Sequence, residues 1–188
     1  HTTSDLAWLR SQGLDVVITT HAQQGGAVLG ICGGLQMLGH TLLDPDGVEG
    51  ADQPHLPGLG LLDVQTRFDA SKLLKDTTAR FASDLSGAWA PLSGVETSGY
   101  EIHHGRTQAC SDAARPVLMD AEGQCLGWQQ GAVMGLYLHG LFESEPVLHA
   151  LLGGDVPSLP QVFEGLADYI DRHFEPGTLM SLLKASHA

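Results

Sequence analysis

One cysteine in this chain has neighbours that suit it for nucleophilic chemistry. Cys32 stands in Gly30-Ile31-Cys32-Gly33-Gly34, a G-x-C-x-G pattern between the apolar run Ala27-Val28-Leu29-Gly30-Ile31 and a helix-like segment from Leu35 to His40. Strand, tight turn and helix in that order make a nucleophile elbow, where glycines leave room that any Cβ would fill. A sulfur at the start of a helix lies near backbone N–H groups and the positive end of the dipole, which favour thiolate over thiol. The N–H of Gly33 can face an oxyanion developing on an attacked carbonyl, and one such donor is worth roughly 10²–10³ in turnover. A free cysteine is more often a small buried core residue. The paired glycines and the preceding strand weigh against that reading here.

A thiol nucleophile needs a base, and among ten histidines His139 stands out. The strand-like run Val133-Met134-Gly135-Leu136-Tyr137-Leu138 delivers it to a strand end, and Gly140 follows as a turn. In α/β sheets, reactive groups gather at the carboxyl ends of strands. An isolated histidine at such a place is usually structural, so His139 draws its interest from Cys32. A third group is Ser98-Gly99-Tyr100-Glu101-Ile102-His103-His104-Gly105-Arg106-Thr107. As a strand it sends Tyr100, Ile102 and His104 to one face and Glu101, His103 and Arg106 toward others. Adjacent histidines pointing to opposite faces argue against a metal site, and an exposed strand with alternating polar residues is the plain alternative.

These groups need a scaffold. Thr3 or Ser4 can cap a first helix carrying Leu6, Trp8 and Leu9 and ending at Gly13. Asp15 to Gln24 opens on β-branched residues but precedes the stronger strand at 27–31, so a crossover helix is expected. The run at 27–31 reads as a parallel strand buried on both faces. Asp44 to Pro57 reads as a loop and Gly58 to Phe68 as a strand. Short strands are expected around 99–107, 116–119, 125–129 and 133–139. Val162, Leu166, Tyr169, Ile170 and His173 share one face of a helix, with Leu179, Leu182 and Leu183 following Gly177. The expected class is α/β, with a mainly parallel central sheet flanked by helices and extra short strands in the second half.

The 188 residues suffice for one domain with a real core. A formal charge of −13 repels nucleic acid and anionic membranes. No apolar run approaches the length of a membrane span, and the N-terminus lacks the basic and apolar regions of a secretory signal. Three cysteines without CxxC spacing suggest neither disulfides nor zinc, and a reducing cytoplasm fits them.

Val28 to Gly39, Gly99 to Thr107 and Tyr137-Leu138-His139-Gly140-Leu141-Phe142 together resemble the glutaminase domain of the cobyric acid synthase family. The resemblance extends to Asp5-Leu6-Ala7-Trp8-Leu9 and Gly58-Leu59-Gly60-Leu61-Leu62, so it spans most of the chain. It implies a class I glutamine amidotransferase fold in which Cys32 attacks the glutamine carboxamide and His139 shuttles the proton. Gly33, Gln36, Tyr100, Glu101 and His103 are the expected oxyanion and substrate-binding residues, with no metal. Ammonia would pass to an N-terminal synthetase domain that uses ATP and magnesium to amidate adenosylcobyrinic acid a,c-diamide, the corrinoid substrate.

The chain also departs from that pattern. Leu141 stands where many class I amidotransferases carry a glutamate, a feature shared with the cobyric acid synthase branch, and Glu143 is a weak substitute. His104 and Leu35 replace an expected methionine and aromatic residue. Further strands and a Pro-Gly-Ser/Thr-Lys-like loop are expected before the Asp5 helix, and no G-x-x-x-x-G-K-[ST] phosphate loop occurs. Residues 1–188 are therefore expected to be one amidotransferase domain, a C-terminal part of a larger synthase. The rivals are cobyrinic acid a,c-diamide synthase, the isoglutaminyl amidotransferase of cell-wall synthesis, a catalytically silent domain binding glutamine or a partner, and a cysteine protease.

Overall fold

The structure, a computed structural model, describes residues 1–50, 53–154 and 156–185, without the side chains of 183 and 185. Helix α1 (Thr2–Ser11) and α2 (Leu14–Gln23) lead into β1 (Val28–Ile31), α3 (Gly33–Leu38), β2 (Thr41–Leu43) and β3 (His55–Pro57). Then come β4 (Val64–Phe81), β5 (Glu96–Ala109), β6 (Arg115–Asp120), β7 (Cys125–Gln130) and β8 (Val133–Leu136). Helices α4 (Glu145–Leu152), α5 (Leu159–His173) and α6 (Thr178–Ala185) end the chain.

The strands form one mixed sheet in the order β1-β8-β7-β6-β4-β2-β3, with β5 along the other edge of β4. The α/β class and the flanking helices agree with expectation. The expected mainly parallel pairing does not: β1–β8 and β2–β4 are parallel, and the other pairings are antiparallel. Short connections join β6, β7 and β8, and these serve only antiparallel neighbours, whereas a parallel pair needs a long crossover. Nor are all the later strands short, since β4 and β5 form an 18- and 14-residue hairpin. Its register shifts between Phe68 and Leu73.

Burial explains several local differences. β1 is the edge strand and only its Gly30 is fully buried. The strand covered on both faces is β8, buried at every position and followed by buried Tyr137 and Leu138. Side chains alternate across it: Val133 and Tyr137 join Leu35, Leu38, Leu62 and Trp128 on one face. Met134, Leu136 and Leu138 join Phe81, Leu126, Leu141 and Val147 on the other. Helix α3 thus covers one face and α4 the opposite one, a helix that the sequence reading did not anticipate.

The stretch expected as a strand from Gly58 becomes one only at Val64, because the amides of Leu59, Leu61 and Leu62 bond to carbonyls of Met37 and Leu38 instead of a strand. Within the expected 44–57 loop, His55–Pro57 pairs with β2, and buried Asp44 accepts the amides of Val48 and Glu49 at 2.7 and 2.9 Å; residues 51 and 52 lie outside the described part. The first helix begins at Thr2 without a side-chain cap, since the Ser4 hydroxyl donates to the His1 carbonyl and Thr3 to that of Glu49. The tail is helical as expected, but Val162, Phe163, Leu166 and Tyr169 of α5 are exposed. Among the described residues, no helix is long and apolar enough to cross a membrane.

Candidate active site

Cys32 follows β1 immediately and caps α3, with φ 52° and ψ −109°. Among the described residues it alone has positive φ without being glycine. Such a backbone costs on the order of 1–3 kcal/mol and survives where surroundings enforce it, often at functional sites. Here the Cys32 amide donates to the Leu136 carbonyl at 2.8 Å, tying the turn to the end of β8. Gly30 is required by close approach, since a Cβ there would lie 2.5 Å from Leu38 Cδ1 and 2.6 Å from the Gly34 carbonyl carbon. The elbow read from the glycine spacing is therefore present as geometry.

Burial works against the thiolate that the helix start favours. Burial pushes Cys32 up from its ordinary value, and the nearby Glu49 charge adds to this, outweighing the bond from the Gly33 amide. A one-turn-and-a-half helix start does not offset desolvation. The Cys32 thiol faces the Ile102 carbonyl at 3.6 Å, a weak S–H bond at most.

The parallel pairing of Ile31 with Leu136 puts the ends of β1 and β8 side by side. Cys32 is the next residue on one strand and His139 lies three residues on along the other. The two candidates thus occupy one carboxyl edge of the sheet, where reactive groups gather in α/β folds. The Nε2 atom of His139 is buried and has no hydrogen-bond partner. Its pKa is lowered by burial first and then by His103, favouring neutral imidazole.

The β4–β5 hairpin folds over this edge through an isolated antiparallel bridge between Tyr100 and His139. The His139 amide donates to the Tyr100 carbonyl at 2.8 Å, and the Tyr100 amide donates back at 3.2 Å. Their rings stack with centroids 4.9 Å apart and planes 9° apart. On the other face of β5, Glu101 and His103 are 4% and 7% exposed, as alternation requires. Glu101 accepts from Thr77 at 2.9 Å and pairs with His103 Nε2 at 3.2 Å, while His103 Nδ1 faces the Gly105 carbonyl at 2.7 Å. Burial opposes ionisation of Glu101, but the bonds from His103 and Thr77 prevail and lower its pKa. Both carboxylate oxygens are thereby engaged, one by a hydroxyl of β4 and one by an imidazole of β5.

Gln36 is buried, and its amide is taken up by protein: Oε1 accepts from Thr2 at 2.7 Å and Nε2 donates to Tyr137 Oη at 3.3 Å. Tyr137 stacks on His103 at 3.7 Å and shares a 2.5 Å hydrogen bond with Thr107. Burial pushes its hydroxyl up to about 12, against the opposing bonds from Thr107 and Gln36. The Thr2–Gln36–Tyr137–Thr107 chain was not foreseen, because ordinary polar residues scattered along a sequence give no signal before register brings them together. Glu143, the weak substitute for an orienting acid, is exposed after a turn of 3₁₀ helix, and Leu141 at its start is buried.

Residues 1–147 match the family described as the CobB/CobQ-like glutamine amidotransferase domain. The chain is 56% identical to a cobyric acid synthase of Polaromonas sp. (strain JS666), covering 97% of this chain and 36% of that protein. It is 54% identical to the cobyric acid synthase of Methylibium petroleiphilum, again covering 97% of this chain and 36% of the relative. The chain therefore spans little more than a third of the length of these relatives. In fold it resembles a solved glutamine amidotransferase, with TM-score 0.53, 16% identity and coverage of 79% of this chain and 71% of the other. It also resembles PurLQS from Thermotoga maritima, with TM-score 0.52, 18% identity and coverage of 74% and 66%.

Proposed function

The chain belongs to the CobB/CobQ-like glutamine amidotransferase family, and from that membership we propose that it hydrolyses glutamine through a covalent intermediate on Cys32. In this reading Cys32 Sγ attacks the carboxamide carbon while His139 takes the thiol proton. The tetrahedral intermediate collapses with transfer of that proton to the leaving nitrogen, releasing ammonia and leaving a γ-glutamyl thioester. Water, deprotonated by His139, then attacks the thioester; glutamate departs and the thiol is restored. The Gly33 amide is the nearest candidate for the oxyanion, and Gln36, Tyr100, Glu101 and His103 shape the surroundings. The carrying observation is the paired ends of β1 and β8, which offer a strained Cys32 and a buried, unpartnered His139 Nε2 on one edge.

The full-length role follows as part of the same proposal. The longer protein would be a cobyric acid synthase, acting in the cytoplasm, whose ATP- and magnesium-dependent synthetase domain receives the ammonia and amidates adenosylcobyrinic acid a,c-diamide. This chain contains no G-x-x-x-x-G-K-[ST] loop to bind a nucleotide itself. Glutamate release from glutamine, measured for the chain alone and with the synthetase domain supplied, tests the reading. Activity should vanish in Cys32→Ala; hydrolysis that survives the substitution would refute the thioester route.

A further inference from the structure

A histidine that moves a proton must hold its ring in one orientation, and the usual orienter is a carboxylate or carbonyl on the second ring nitrogen. Carboxylates near His139 are poor candidates. Glu101 points to the opposite face of β5 with both oxygens engaged by Thr77 and His103. Glu143 is exposed, where water competes for it. Residue 141 is a leucine, 1% exposed in the core.

The ring is instead held from its flat side. Tyr100 lies nearly parallel to it at 4.9 Å, and the two residues exchange backbone hydrogen bonds at 2.8 and 3.2 Å, which hold the two backbones together so that the rings start from fixed Cα positions. Gly99 permits this approach: any Cβ there would overlap the His139 carbonyl oxygen. A stacked aromatic restricts the χ2 rotation that would swing Nε2 away.

Resting on the proposed thioester reading, we infer that Tyr100 is the positioning residue for His139, doing by stacking what an acid does by hydrogen bonding. Tyr100 is 41% exposed, so shortening it opens no core cavity. A merely structural role would leave catalysis close to unchanged, and direct glutamine binding would show in KM.

The test is made in the full-length protein with Tyr100→Leu, Tyr100→Phe, His139→Ala and the Tyr100→Leu/His139→Ala double variant. Tyr100→Leu should lower kcat roughly 10–100-fold, the scale of a misplaced catalytic group, with KM little changed, and Tyr100→Phe should restore most of it. In parallel, iodoacetamide labelling of Cys32 at neutral pH is followed by mass spectrometry of its peptide, which separates it from exposed Cys110. Tyr100→Leu should slow labelling, and the double variant should label no slower than His139→Ala, because an effect exerted through His139 disappears with it. Unchanged kcat and labelling in Tyr100→Leu, or a loss that persists without His139, would overturn the inference. Wild-type protein that does not hydrolyse glutamine refutes the functional reading alone, since labelling still reports on the Tyr100–His139 link.

Discussion

At the scale of single residues, the two groups proposed to react are both placed where charge is disfavoured. Burial disfavours the charged form of each, raising the Cys32 thiol and lowering the His139 ring from their ordinary values. In the proposed mechanism, proton transfer between them belongs to the encounter with substrate, when a carbonyl carbon is present to take the sulfur's electrons. The sign for pH follows directly. If His139 is the base, as proposed, neutral imidazole is the acting form and its pKa lies below the ordinary 6.5, so activity should be lost only as pH falls through that lower value. A profile of kcat/KM for glutamine checks this, and an acid limb above 6.5 would assign the base to another group. The same depression makes folding less favourable as pH drops below 6.5, because the unfolded ring takes up its proton first. Cys32 and His139 were legible because glycine spacing and strand ends carry backbone information. Thr2, Thr77, Thr107 and Tyr137 were not, since their partners lie tens of residues away and register alone selects them.

Among the elements, β8 and α5 show how similar apolar patterns reach opposite fates. Residues 133–138 are buried on both faces, between α3 and α4. The apolar stripe of α5 is as regular, yet its side chains are exposed, and an isolated helix of this length is marginal in water. Leu138→Ala should therefore cost about 2–5 kcal/mol, the range for emptying a core position. Leu166→Ser should change stability by less than about 0.5 kcal/mol, as substitutions outside packed regions do. Urea unfolding midpoints of the two variants make the comparison, and a large loss in Leu166→Ser would mean that α5 is packed in solution. Periodicity located both segments correctly, but it reports only which face is apolar and never what covers it.

For the molecule as a whole, the relevant question is where the ammonia goes. The chain spans 36% of the length of its relatives, so amide transfer is proposed for the longer protein rather than for these residues alone. With amide-¹⁵N glutamine, the label should appear as free ammonium when this chain acts by itself and in the corrinoid amides when the synthetase domain, ATP, magnesium and acceptor are supplied. Label confined to ammonium in the complete mixture would count against the cobyric acid synthase role. The sequence by itself determined the α/β class, the elbow around Cys32 and the strand ending near His139, because local sterics and periodicity are written in neighbouring residues. Only the tertiary structure decided that β1 is an edge, that the β4–β5 hairpin closes over the proposed site, that burial raises the Cys32 thiol and that Tyr100 faces His139. Those depend on long-range pairing and desolvation, which are properties of the packed chain and of no segment within it.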